Sequence, residues 1–174
     1  MSFFSLILSE RNKIKHLLPE YQFIYDEIDD LIDKPDIKTF VDKSLNGKLY
    51  ELMAVNLEMT RKDSKMKMFL TLFSDDKQSP KTKKKLSEFL PNVVNICNIL
   101  NSNKRKLIPK LCQILESRIM IQHIAIPFLT ENEHPFYTVH DSFNVHVDDK
   151  DNIIRKYNNF FNKLNIKPLK IKTK

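Results

Sequence analysis

Gly47 is the only glycine among 174 residues, and this scarcity limits the fold more than any other feature of the sequence. Glycine-rich phosphate loops and dinucleotide-binding turns need several positions with positive φ or close backbone approach, which a single glycine cannot supply. Turn-rich all-β folds are disfavoured on the same ground, so helix should dominate. With 41% apolar and 29% charged residues the chain can bury a core, and its length suits one domain.

Apolar periodicity places helices along most of the sequence. Residues 5–18 read as one amphipathic helix ended by Pro19, and residues 21–32 as a second with acids on its outer face. Asp36 is the expected N-cap of a helix over 37–45 that Asn46-Gly47 stops. A short helix over 49–57 comes next, then a basic amphipathic helix running from the cap Thr60 to about Phe73. Beyond a loop containing Pro80, helices are expected at 83–89 and 92–100, with a break at Asn101-Ser-Asn. The longest periodic segment spans 106–129, with Pro109 tolerated in its first turn. Phe136-Tyr-Thr-Val-His and Phe143-Asn-Val-His-Val are then two extended runs about the junction Asp141-Ser142, which reads as a β-hairpin. Asp148 should cap a last helix to about Leu164, ahead of a lysine-rich tail. The expected fold class is α+β, predominantly helical, with one small antiparallel β-hairpin.

Cys97 and Cys112 are too few for a disulfide framework or a cysteine zinc site, and both fall in apolar helical patterns, as buried thiols in a reducing compartment would. The apolar start, residues 3–8, is too short for a signal peptide, and no stretch approaches the ~18 apolar residues of a membrane span. The expectation is a soluble, cytoplasmic chain with no membrane partner.

The net charge of +7 hides an asymmetry. Residues 1–60 carry seven basic and eleven acidic side chains, whereas residues 61–110 carry 13 basic and four acidic. From Asn162 onward there are five lysines and no acid. Clustered cations of this kind are the footprint of phosphate-backbone binding; a solvated lysine-rich surface is the plainer reading.

Three constellations carry chemical interest. In Tyr137-Thr-Val-His140-Asp141-Ser142-Phe143 a carboxylate sits at a hairpin tip after an apolar strand. Such a group reads either as a Mg²⁺ ligand, with His140 a neighbour, or as an Asx-type turn residue. Arg61, Lys65, Phe69 and Phe73 recur every four residues, which on a helix makes a slowly winding stripe of two cations and two rings. Cations in a first turn oppose the helix dipole unless an anion is bound there, so the stripe suits a triphosphate and a base; a solvated basic face beside two core phenylalanines is the alternative. The long helix carries Gln113, Glu116 and Arg118 on an apolar pattern and leads into the hairpin. His123 and His134 have no histidine or carboxylate at ligand spacing, which leaves a histidine metal site with little sequence support. Ser142 beside Asp141 and His140 makes no triad, because adjacent strand residues point to opposite faces.

Taken in order, these pieces resemble the C-terminal fingers and palm portion of the single-subunit nucleic-acid polymerases, the superfamily of family A DNA polymerases and phage-type RNA polymerases. The fingers helix of that superfamily reads Arg-x3-Lys-x3-Phe/Met-x3-Tyr-Gly; this sequence reads Arg61-Lys-Asp-Ser-Lys65-Met-Lys-Met-Phe69-Leu-Thr-Leu-Phe73-Ser74. A glutamine helix and a palm hairpin with His-Asp at its tip follow in the family, and here Gln113 precedes His140 by 27 positions. His-Asp-Ser-Phe is closer to the RNA-polymerase form. The stretch from Asp36 through Gly47-Lys-Leu-Tyr50 to Thr60 is similar to the segment before the fingers helix, so the likeness covers residues 36–165.

The resemblance implies a fingers-like helical region over 1–105, and a long helix, palm-like hairpin, final helix and basic tail over 106–174, together one compact domain. It implies a partial catalytic core of a template-directed nucleotidyltransferase. Arg61 and Lys65 would hold the triphosphate and neutralise the departing pyrophosphate, Phe69 would stack near the base, and Phe73 would take the position of the sugar-watching tyrosine. Asp141 would bind catalytic Mg²⁺ with His140 near the primer end, and Gln113 would touch the primer–template. Lys83, Lys84, Lys85, Lys104, Arg105 and Lys106 would contribute further nucleic-acid contacts, and a nucleoside triphosphate and a template–primer are the implied partners. Phe73 lacks the tyrosine hydroxyl and Ser74 replaces the glycine. The family also places a second aspartate on an upstream palm strand, which has no counterpart here; Met1-Ser-Phe-Phe-Ser-Leu-Ile-Leu resembles the helix after that strand. The chain alone should therefore be inactive, needing a preceding segment or a partner chain. The alternative is a non-catalytic nucleic-acid-binding remnant of such a polymerase.

Overall fold

The short apolar start of the chain is central to the fold. In the computed structural model, which describes residues 2–75, 77–102, 106–132, 134–139, 142–169 and 171, the first helix α1 (Ser2–Ser9) buries Phe4, Leu6, Ile7 and Leu8 almost completely. A helix apolar all round has to be surrounded. α4 (Pro35–Leu45) and α9 (Leu107–Ser117) flank it, and Phe4 meets Phe40 edge-on with ring centroids 5.9 Å apart. Past Leu8 the sequence turns polar, and the chain breaks at Glu10 (φ −117°, ψ 23°) into α2 (Arg11–Ile14) and a 3₁₀ turn, Lys15–Leu17. The single helix expected over 5–18 is thus broken at Glu10: α1 is buried nearly all round, whereas the part beyond the break buries only Ile14, Leu17 and Leu18 and exposes Asn12, Lys15 and His16.

A second 3₁₀ turn (Pro19–Tyr21) precedes α3 (Phe23–Ile32), and α4 is followed by α5 (Leu49–Asn56), α6 (Arg61–Phe73), α7 (Pro80–Ser87) and α8 (Pro91–Asn101). Two of these ends are set by the local signals expected of them, whereas α7 begins three residues before the expected position 83, with Pro80 in its first turn. Gly47 sits at φ 72° after α4, where its N–H reaches Ser44 O (3.1 Å) and the Lys48 N–H reaches Lys43 O (2.8 Å), the paired bonds of a Schellman stop. Thr60 accepts from the Asp63 N–H at 3.1 Å and starts α6. With no further glycine in the chain, Glu58, Ser79, Lys106 and Asn165 take the remaining left-handed positions among the described residues, at φ values of 47–54°.

Asp36 departs from expectation. It lies inside the first turn of α4, behind Pro35, and its carboxylate crosses to α8, accepting from Asn92 N (2.8 Å), Asn92 Nδ2 (2.7 Å) and Val93 N (3.4 Å). It caps the neighbouring helix rather than its own.

The long helix of residues 107–129 is one rod in three registers: α9, a π-helical segment (Arg118–Ala125) and α10 (Ile126–Leu129). Pro127 lacks an N–H and crowds the carbonyl of the preceding turn, and the wider spacing accommodates it, with Ile126 N–H bonding back to Ile121 O. Arg118 leaves the rod to pair with both carboxylate oxygens of Glu20, at 2.6 and 3.1 Å. The only sheet among the described residues is the hairpin β1 (Tyr137–Val139) and β2 (Ser142–Asn144), antiparallel with Tyr137 opposite Asn144 and Val139 opposite Ser142. The pairing closes between Val139 and Ser142, one residue earlier than a junction at Asp141-Ser142 would place it. Phe136 anchors the hairpin edge-on against Phe128, 5.0 Å between centroids.

A 3₁₀ turn (Val147–Asp149), not a cap at Asp148, leads into α11 (Lys150–Lys163), which lies along the π-helical segment with Phe160 stacked on His123. The fold is predominantly helical α+β, and one continuous hydrophobic cluster runs from Phe4 to Ile166 through α1, α3, α4, α6, α8, α9 and α11. Among the described residues no helix is long and apolar enough to cross a membrane.

Candidate nucleic-acid interface

α6 is held on one side by its neighbours and presents the other to solvent. Ser64, Met68, Thr71 and Leu72 form the buried side, against α5, α7, α8 and α9. The opposite side carries Lys62, Lys65, Met66, Phe69 and Leu70, all exposed, and half-buried Phe73. Phe69 is 51% exposed, Met66 56% and Leu70 42%, so three large apolar groups stand in water beside two lysines.

The four-residue stripe drifts by about 40° per step on an α-helix, which sets its ends about 120° apart. This separates its members into different surroundings. Arg61 is turned toward α5, where its Nε lies 2.5 Å from Glu51 Oε1 and its guanidinium 5.6 Å from the centre of the Tyr50 ring. The Arg61 hydrogen bond holds the Glu51 carboxyl below the usual carboxylate range. This exposed pair is weak, and its guanidinium can exchange a carboxylate for a phosphate at small cost. Lys65 and Phe69 stand at the middle of the exposed side. Phe73 packs on the core with its ring 4.4 Å from that of Phe69, tilted by 58°.

Other cations reach the surface on helices that pack directly on α6. Lys84 and Lys85 are exposed on α7, and Lys106 is exposed at the start of α9. Gln113 is exposed on α9. Lys83 is not part of this surface. It is 5% exposed, falls on the inward side of α7 three residues before buried Leu86, and donates from Nζ to Asp75 O at 2.6 Å. It holds the backbone at Asp75 instead of meeting a ligand. Ser74, at the glycine position of the polymerase motif, has an extended backbone (φ −87°, ψ 153°), so no glycine conformation is required there. His140, Asp141, Lys104 and Arg105 lie outside the described residues.

Asn101 is a positioning residue that the sequence does not announce. Fully buried at the end of α8, it donates from Nδ2 to Leu72 O (2.7 Å) and Ser74 O (3.3 Å), while its Oδ1 accepts from Ile108 N (3.3 Å). Leu72 O is one of the carbonyls that α6 leaves open at its C-terminus, and Ile108 N–H is one of the donors that α9 leaves open at its N-terminus. One amide therefore joins the ends of three helices and fixes where the exposed side of α6 points.

Asp141, on which the expected Mg²⁺ site rests, lies outside the described residues. Among the described residues one gathering of three ligating groups is present, His134, His146 and Asp148, a mixed nitrogen and oxygen set. Spacing along the sequence gave no hint of this cluster; strand pairing brings His134 and His146 together. Comparison with protein families, with curated proteins and with solved structures finds no match to this chain, so its surface is read from its own geometry.

Proposed function

We propose that this chain binds nucleic acid through the exposed side of α6, as a polymerase-like fingers segment without a complete catalytic centre of its own. The observation that carries the reading is the half-exposed Phe69 beside Lys62 and Lys65, on a helix whose other side is fully packed. An exposed ring beside cations is a stacking platform for a base with charges placed for the adjoining phosphates. Lys84, Lys85 and Lys106 add exposed cations on helices that pack on α6. Single-stranded nucleic acid is favoured, since its bases are free to stack.

Binding of labelled single-stranded DNA, followed by anisotropy over a range of salt, tests this. Affinity should fall linearly with salt on logarithmic axes. Phe69→Ala removes a contact of about 1–3 kcal/mol, a loss of roughly five- to 150-fold, while Lys65→Ala lowers the salt slope by about one. Affinity that neither variant alters would remove the α6 side from the account.

The spacing of Arg61, Lys65, Phe69 and Phe73 favours a second reading, that the same surface receives a nucleoside triphosphate for nucleotidyl transfer. This needs Asp141 and a second carboxylate from a preceding segment or a partner chain. Primer extension by the chain alone should then fail; robust synthesis would overturn the incompleteness of the site.

A further inference from the structure

The hairpin base carries a cluster that the nucleic-acid reading does not use. His134 lies three residues before β1 and His146 two residues after β2, and antiparallel pairing brings their rings face to face, 4.5 Å between centroids and 20° from parallel. Asp148 and Asp149 follow on the turn into α11. Asp148 Oδ2 is 3.2 Å from His146 Nδ1, and Asp149 Oδ2 is 3.0 Å from His134 Nδ1. One ligand atom from each of His134, His146 and Asp148 lies within 4.8 Å of the other two.

We propose that His134, His146 and Asp148 bind a divalent transition metal ion, of the Zn²⁺ or Co²⁺ class, which fastens the base of the hairpin to the start of α11. The chemistry of the set selects the ion. Two imidazoles and one carboxylate suit Zn²⁺, Co²⁺ or Ni²⁺, whereas Mg²⁺ and Ca²⁺ take oxygen ligands. Bonds of 2.0–2.1 Å in a tetrahedron put ligand atoms about 3.3 Å apart, close to the spacing already present between His146 Nδ1 and Asp148 Oδ2 (3.2 Å). His134 closes the site by rotation of a half-exposed side chain.

Asp149 supplies the orienting shell. Its side chain is only 13% exposed, and a carboxylate can only accept, so Nδ1 of His134 carries the proton and Nε2 keeps its lone pair for the ion. A water takes the fourth position of such a three-ligand site. Cys97 and Cys112 offer no competing site, since burial pushes both thiols up to about 12.

The test is calorimetric titration of the metal-free full chain with Zn²⁺, paired with the visible spectrum of the Co²⁺ form. One ion should bind per chain, and the Co²⁺ spectrum should carry the intense bands of tetrahedral coordination. His134→Ala, His146→Ala and Asp148→Asn should each weaken binding at least tenfold, and Asp149→Asn by roughly 10–100-fold, as expected for an orienting partner. His16→Ala and His123→Ala should leave it unchanged. Far-UV circular dichroism checks that the variants fold. The unmodified chain gives an independent readout, because the ring resonances of His134 and His146 should shift with Zn²⁺ and not with Mg²⁺. Absence of saturable Zn²⁺ binding, binding that survives His134→Ala or His146→Ala, displacement by excess Mg²⁺, or unshifted His134 and His146 resonances would each overturn the site.

Discussion

Asn101→Ala is the substitution that most sharply tests how α6 is positioned. The side chain is inaccessible to solvent and makes bonds of 2.7, 3.3 and 3.3 Å to Leu72 O, Ser74 O and Ile108 N. Truncation leaves three backbone groups without this partner, in a space too confined for each to be solvated. Hydrogen bonds contribute about 1 kcal/mol net, and an abandoned buried partner costs about 1–3 kcal/mol, so with the two longer bonds discounted the loss is about 2–4 kcal/mol. That is a large fraction of the 5–15 kcal/mol typical of a domain, yet it leaves the chain folded at room temperature. Asn101→Asp separates the two roles: it keeps an acceptor for Ile108 N–H but sets a carboxylate against two carbonyl oxygens, and should cost at least as much. The assay is equilibrium urea unfolding followed by far-UV circular dichroism, with an unchanged slope so that midpoints report stability. A loss below about 0.5 kcal/mol in both variants, the range of inert surface changes, would refute the claim that this amide clamps three helix ends.

Two further outcomes follow from the backbone and from burial. Glu58 stands at φ 49° after α5, a strained position for a residue with a Cβ, so Glu58→Gly should stabilise the chain by about 0.5–1 kcal/mol; a destabilised variant would show that the side chain contributes more than the strain costs. Burial raises Cys97 and Cys112 from 9.0 to about 12, and Tyr25 and Tyr157 from 10.0 to about 12. The unfolded chain therefore loses these protons first, and their stabilising contribution is complete below about pH 9 and declines as pH rises toward 12. Urea midpoints should hold between pH 7 and about 8.5 and fall by pH 10.5; a midpoint that stayed level to pH 10.5 would contradict the burial of these groups.

What the sequence made legible was local, and what it hid was brought together by tertiary packing. Thr60 and Gly47 act within four residues of themselves, through bonds to Asp63 and to Lys43 and Ser44, so residue type alone identified them. Asp36 has the same capping chemistry, but its partner Asn92 lies 56 residues away, and the carboxylate caps a helix that only packing brings near. Lys83 reads as one more cation in a basic run; its burial follows from the inward side of α7 and the reach of its Nζ to Asp75 O. The stripe of α6 was visible as a spacing, whereas its division was not, because Glu51 and Tyr50 on α5 draw Arg61 away from Lys65 and Phe69. His134 looked unpaired along the sequence, since its twelve-residue separation from His146 becomes a contact only through the register of β1 and β2.

Photocross-linking of single-stranded DNA to the chain, followed by identification of the modified peptide, reads the contact at α6 itself. Adducts should fall in the segment 61–73, at Phe69 above all, and disappear at high salt and in Phe69→Ala. Adducts confined to the lysine-rich tail, with 61–73 unmodified under conditions where DNA is bound, would contradict it.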